Sequence, residues 1–442
     1  MPSTGSKKNI SQSKPLQIDI ANWIVWIMAC VLFVITLSSL DYDLGKKGPL
    51  FISIGSLELV SALGMFLFCL YKEYMKDGAY CFIQMYVHIK DVLLFYFWLA
   101  IVGLLYCLHP NSVLGLQNEG THYLIYLIFL IMLVCTGCIK YIEKSAKWFA
   151  IAALLIYLYS VGLDVVQGGQ YTNVIGRAAG FAENPNTGGY ILVILIILSV
   201  NWNEYKVMDG VMWIMTAIGI FATLSRGGII IFSLAFALYV GFVAVSLGKN
   251  RIKFLVKVSI TTVAAFFIIY ASSSFANIST LYETSTGQTR FERVQEMLNG
   301  DSDSIKSDSR VDLISTYINL IAESPFVGHG TGFSGSLPVG PHNLYLLVWT
   351  DYGLIGLLVL IYVLIRLLLF FVSKQNRAGI AFVLVFIVEG FFNHNLLTFQ
   401  PFVTALALLS VSGLKTGSVD NGWFPKKSQN RLYYRDFSSR WS

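Results

Sequence analysis

Apolar runs of about twenty residues, parted by short polar breaks, fill this chain from residue 20 to residue 414. A run of that length is what a helix needs to cross the ~30 Å hydrocarbon layer of a bilayer. In lipid only helices and closed barrels satisfy their backbone, and a barrel strand alternates polar and apolar residues instead of staying apolar for twenty. The runs therefore predict an all-α polytopic membrane protein. They lie near 20–40, 49–71, 91–108, 122–139, 148–165, 187–202, 210–224, 228–248, 258–273, 343–373, 378–394 and 401–414, about twelve transmembrane helices. Composition agrees. Of 442 residues, 55% are hydrophobic and 13% charged, against about 25% charged in an ordinary soluble domain. That balance excludes a disordered chain and a soluble enzyme with one tail anchor.

Charge sets an expected orientation. With residues 1–19 as a cytoplasmic N-tail, 23 of the 31 Lys and Arg residues fall in cytoplasmic segments, as the positive-inside rule requires. The first run is read as a retained span because no cleavage pattern follows it. The division that follows is a tail at 1–19, nine spans over 20–273, a long outer loop at 274–341, three spans over 342–414, and a basic cytoplasmic tail at 415–442. The net charge of +6 then lies along the inner surface, where anionic membrane lipids attract it. Nothing in it calls for nucleic acid. The six cysteines give no disulfide framework, and Cys135-Thr136-Gly137-Cys138 is a lone pair inside an apolar run, read as packing. The phosphate-loop, HExxH and EF-hand patterns are missing, so neither a nucleotide nor a metal cofactor is expected.

Polar residues gather where the runs reach the outer side. Gly176-Arg177 leads into Asn184-Pro185-Asn186 at the start of the sixth run. A helix N-terminus with a guanidinium beside it suits a phosphate; equally, the segment is a turn that caps the span, with Arg177 paired to Glu183 or a lipid phosphate. Ser225-Arg226-Gly227-Gly228 joins two runs almost without a loop. Arg226 is either a ligand-binding cation or one snorkelling to headgroups, and the two glycines would let a ligand near the backbone.

In the long loop, 288–299 and 310–323 suit amphipathic helices. Ser309 and Asp312 resemble a capping box, Val311, Ile314, Ile318 and Ile321 make one apolar face, and Pro325 is a stop. Arg310 is a second-line cation, or a salt-bridge partner in an acidic loop. Gly328, Gly330 and Gly332 form a connector or a close-approach surface around His329, whose glycine neighbours leave it loosely fixed. Gly340-Pro341 then sets His342 and Asn343 at the mouth of the tenth run. His342 reads as a general base for a hydroxyl, or as a helix-start residue bonded to a carbonyl. His394, between Asn393 and Asn395, is a lesser candidate of the same kind.

Taken in order, Arg177 with Asn184-Pro185-Asn186, Ser225-Arg226-Gly227-Gly228, Arg310 with Pro325, Gly328 and Gly330, and Pro341-His342-Asn343 with Gly353 and Gly356 resemble the bacterial O-antigen ligase and polysaccharide polymerase family. The motif-bearing region runs from about 175 to 360; the flanking spans match only in hydropathy and number. The resemblance implies a glycosyltransferase architecture of the GT-C type in the cytoplasmic (inner) membrane. It implies transfer of a glycan from undecaprenyl diphosphate to an acceptor hydroxyl outside that membrane, with a lipid A–core or glycan acceptor. It implies that Arg177, Arg226 and Arg310 bind the diphosphate, that His342 is the base, that Asn184, Asn186, Asn343 and His394 support them, and that no metal or other cofactor takes part. Two other classes stay open. A lipid-linked glycan transporter would place ionisable residues at mid-membrane depth, where Glu58 and Glu389 are the clearest acidic candidates. A scaffold protein would tolerate loss of His342.

Overall fold

The computed structural model describes residues 20–47, 54–77, 80–110, 118–137, 140–172, 174, 177–248, 251–256, 259 and 309–412. Thirteen helices order them: α1 (Ile20–Ser38), α2 (Leu40–Lys47), α3 (Ile54–Asp77), α4 (Tyr80–Tyr106), α5 (Asn118–Gly137), α6 (Lys140–Gln167), α7 (Pro185–Ser199), α8 (Val207–Thr223), α9 (Arg226–Leu247), α10 (Ser309–Glu323), α11 (Leu344–Ser373), α12 (Arg377–Glu389) and α13 (Gln400–Ser412). Among the described residues there is no strand. Each expected span coincides with a helix, except the ninth, 258–273, which apart from Ser259 lies outside the described residues, as does the amphipathic segment 288–299. Among the described residues, four helices are long and apolar enough to cross a membrane: Ile89–Tyr106 within α4, Ile142–Gln167 within α6, α9 and α11. The chain is a helical membrane protein.

The centre of the molecule is α7. Every side chain from Tyr190 to Ile197 is fully buried, and α6, α8, α9, α12 and α13 pack around it. A helix apolar on all sides is what such a position demands. Its fifteen residues rise about 22 Å, short of the hydrocarbon thickness. The chain leading to it must therefore dip into the protein, and it does: Ala178 and Ala179 are fully buried.

Connectivity puts the loops 168–184, 324–343 and 390–399 at one end of the bundle. At the other end charged groups are paired. Lys147 Nζ lies 3.4 Å from Asp209 Oδ1, Arg366 pairs with Asp91, and Arg377 donates to the carbonyls of Trp202 and Phe242 at 3.2 and 3.0 Å.

The 324–343 loop is built into α11. At Gly353 (φ 64°) the helix kinks. Three of the hydrogen-bonding groups released there are taken by the preceding loop: His329 N–H donates to Thr350 O (2.9 Å), Gly330 N–H to Asp351 O (2.8 Å), and Leu354 N–H to Pro325 O (2.9 Å). A Cβ on Gly353 would lie 2.3 Å from Phe326 O, and one on Gly328 2.4 Å from Gly353 N. Of the two readings of this glycine cluster, the close-approach surface is the one observed. His329 is not loosely held, as its glycine neighbours suggest. It is buried, stacks on Phe333 at 4.4 Å, and lies 2.9 Å through Nε2 from Leu320 O.

Helix α10 forms as expected and stops before Pro325. Its inward face, however, is centred on Tyr317 and Ile321, which are buried, while Ile314 and Ile318 are exposed. The Tyr317 hydroxyl donates to Val339 O at 3.0 Å. That tether rotates the helix so that only part of the apolar stripe meets the protein.

Candidate active site

Three of the helices that begin at the loop end are each capped by a residue of the sequence motifs. Asn184 Oδ1 accepts from Asn186 N–H (2.9 Å), with Pro185 in the first turn of α7. Ser225 Oγ accepts from Gly228 N–H (3.1 Å) at the start of α9. Asn343 Oδ1 accepts from Tyr345 and Leu346 N–H (2.9 and 3.0 Å) at the start of α11. Side-chain caps satisfy the N–H groups that open a helix. The residue ahead of each cap has a left-handed backbone: Glu183 (φ 56°), Leu224 (φ 46°) and His342 (φ 48°). Gln375 (φ 53°) stands in the same relation to the cap Asn376 at the opposite end. The positive φ of His342 is therefore the cost of this turn and not by itself a sign of chemistry.

Arg177 is buried. Its Nε donates to Thr223 O at 2.8 Å and one terminal nitrogen to Asn186 Oδ1 at 2.9 Å. The same Asn186 oxygen accepts from Ser225 Oγ at 3.1 Å. Arg177, Asn186 and Ser225 thus tie the starts of α7 and α9 to the end of α8. Glycines allow that approach: a Cβ on Gly189 would lie 3.2 Å from the Cα of Gly228.

Arg226 is half-buried in the first turn of α9. The next residue, Gly227, faces Phe392, whose ring would lie 3.1 Å from an added Cβ. Gly227 and Gly228 are thus filled by the protein, contrary to the expectation that they open the backbone to a ligand. Two residues after Phe392, His394 packs edge-on against His342, with ring centroids 5.4 Å apart and planes at 75°. Gly340 lets this happen, since a Cβ there would lie 2.9 Å from His394 Nε2. Burial first, and the neighbouring His342 second, push the His394 imidazole down to about 4, so it is neutral at pH 7. His342 itself is exposed.

The turn 390–394 is therefore a bridge between the Arg226 helix start and the histidine at the start of α11. It is anchored by Leu344 N–H to Gly390 O (2.7 Å) and by the Tyr345 hydroxyl to Ile387 O (2.7 Å). The fold gathers Arg177, Asn184, Asn186, Arg226, His342, Asn343 and His394 at one end. Arg310 lies in the first turn of α10, and its side chain is outside the described residues. Among the described residues no group of three or more His, Cys, Asp or Glu could hold a metal ion.

One participant is not among the sequence candidates. Asp164, fully buried in the last turn of α6, accepts four backbone N–H groups of the 171–180 loop. Oδ1 takes Tyr171 (2.5 Å) and Thr172 (3.4 Å); Oδ2 takes Ala179 and Gly180 (both 2.8 Å). Its signal in the sequence is a polar stripe, Tyr157, Ser160 and Asp164, at helical spacing on an otherwise apolar run.

Residues 210–361, about a third of the chain, match the family model for O-antigen ligase. The matched region includes Ser225 to Gly228, α10, the 324–334 loop, His342 and the kinked first half of α11. This match bears out the resemblance to the O-antigen ligase and polymerase family. No curated protein matches the chain.

Proposed function

We propose that this chain is a glycosyltransferase that moves a glycan from undecaprenyl diphosphate to an acceptor hydroxyl at the outer face of the bacterial cytoplasmic membrane, in the manner of an O-antigen ligase. The observation that carries the proposal is the apposition just described. A cationic helix start at Arg226 and an exposed histidine at His342, both within the region that matches the ligase family, are joined by one turn from outside it, Phe392 to His394. About twelve spans of the GT-C type, both termini in the cytoplasm, and the loop end facing outward complete the reading.

The chemistry follows from the residue types. Arg226, in the first turn of α9, holds the diphosphate. A guanidinium has five N–H donors, so the bonds of Arg177 to Thr223 and Asn186 are compatible with a charge-assisted contact to a phosphate oxygen. Arg310, at the start of α10, adds a third cation. His342 takes the proton of the acceptor hydroxyl as that oxygen attacks the anomeric carbon. The bond to the diphosphate breaks on the opposite side, which inverts the centre. Charge grows on the departing phosphate oxygen, and fixed guanidinium groups stabilise that charge most where water is excluded. Asn184, Asn186 and Asn343 hold the helix starts, and His394 backs His342. No metal or nucleotide is required by this scheme.

A deletion strain, complemented with the wild type or with His342→Ala, tests it by glycan profiling. Loss of the base lowers turnover by roughly 10²–10⁴-fold. Long polymer on undecaprenyl diphosphate beside bare acceptor identifies a ligase. Acceptors carrying single repeat units identify the polymerase, which shares these motifs. Full restoration of glycan by His342→Ala would remove the base and return the transporter and scaffold readings.

A further inference from the structure

An aspartate in the last turn of a helix stands in an unfavourable place. The carbonyl end of the helix is the negative pole, and an acidic side chain there is disfavoured. Asp164 bears that cost and a second one, because it is fully buried and a buried carboxylate must be matched by donors. The donors are the four N–H groups of Tyr171, Thr172, Ala179 and Gly180. None of them belongs to α6. The carboxylate fastens the loop that carries Arg177.

Two neighbours on the same helix face act with it. The Tyr157 hydroxyl donates to Ala179 O at 2.6 Å, and Ser160 Oγ accepts from Phe181 N–H at 3.4 Å. Gly180 (φ 60°) lies so close that an added Cβ would sit 2.4 Å from Ser160 Oγ. On its other side the loop is bound to α8, through Ala178 N–H to Ala222 O (3.2 Å) and Arg177 Nε to Thr223 O (2.8 Å). The loop is thus clamped between α6 and α8, with Arg177 two and three residues from the Ala179 and Gly180 amides that Asp164 holds.

We infer that Asp164 is a positioning residue for the donor-diphosphate site: its carboxylate, through the Ala179 and Gly180 amides, fixes where Arg177 stands. This rests on the proposed reading of Arg177 as a diphosphate ligand. Asp164 touches no substrate. Its effect is transmitted through the loop, and a displacement of about 1 Å in such a group is enough to weaken its action strongly.

The test uses the full chain in nanodiscs and undecaprenyl diphosphate as the probe, with binding and thermal unfolding measured on the same preparations. Asp164→Asn presents an amide NH2 to two N–H groups, and should weaken probe binding about tenfold in the folded protein, a shift of 1.4 kcal/mol. Tyr157→Phe, which frees the Ala179 carbonyl without a change of charge, should weaken it by a smaller factor, about threefold. Arg177→Ala should weaken it at least as much as Asp164→Asn. If Arg177→Ala binds like the wild type, the reading of Arg177 fails. If Arg177→Ala loses binding while Asp164→Asn binds like the wild type and only melts earlier, Asp164 is a structural fastener and the inference fails. If Asp164→Asn yields no folded protein, Tyr157→Phe decides, and wild-type affinity in that variant overturns the inference.

Discussion

His394 shows what a single side chain contributes here. Its ordinary value of 6.5 falls to about 4 because the ring is buried and His342 faces it. Below pH 6.5 the unfolded chain takes up a proton that the folded chain refuses. Stability from this group is therefore intact above pH 6.5 and is lost progressively as pH falls toward 4, up to about 3 kcal/mol. Thermal unfolding in detergent should show this slope in the wild type and a flatter one in His394→Phe; parallel curves for the two would remove the effect. At this scale the caps were legible. Asn184 and Asn343 announce themselves by standing just before long apolar runs, and the Asn-Pro-Asn step is a helix start on local grounds alone. Asp164 was not legible. Its meaning depends on amides seven to sixteen residues away that only a folded loop returns to it. The apolar stripe of α10 misled for a related reason, since periodicity gives a face but the tether from Tyr317 to Val339 chooses its direction.

Among the elements, α11 is the most constrained. Its first half carries the cap Asn343 and follows directly on His342. Its kink at Gly353 is filled by the 325–330 backbone. Gly353→Ala forces a Cβ to 2.3 Å from Phe326 O at a left-handed backbone position, and should cost about 3 kcal/mol or more. Gly64→Ala is the matched control. It lies in α3 with nothing within 4 Å of an added Cβ, and should be neutral or slightly stabilising. Melting of the two variants in the same detergent checks the pair, and equal melting points would contradict the account of the kink. Helix existence and approximate limits follow from apolar run length, because lipid-like burial leaves the backbone few alternatives. The kink does not. Gly353 and Gly356 read as motif glycines, but the loop that replaces three helix hydrogen bonds comes from residues 325–330, a pairing with no local trace.

Across the molecule, the proposed topology makes a sharp expectation. Val339 and His342 are exposed at the loop end, and Lys374 lies at the end of α11 remote from them. In a chain whose native cysteines are replaced, Val339→Cys in intact spheroplasts should react with a membrane-impermeant maleimide, and Lys374→Cys only after lysis. The reverse pattern would invert the orientation drawn from the distribution of Lys and Arg. The gathering of distant motifs at one end was readable from span parity, whereas the contact of Phe392 with Gly227 was not. The docking of the 325–330 loop into α11 also bears on how the chain is made. In hydrocarbon, the carbonyls of Thr350 and Asp351 and the amide of Leu354 would be stranded without water, at several kcal/mol each. Synthesis runs from the N-terminus, so on this topology the loop has crossed to the outer face before the kinked span leaves the ribosome. The partners of those groups are then already waiting when the span inserts, and a rearranged gene that delivered α11 ahead of its loop would stall at the membrane.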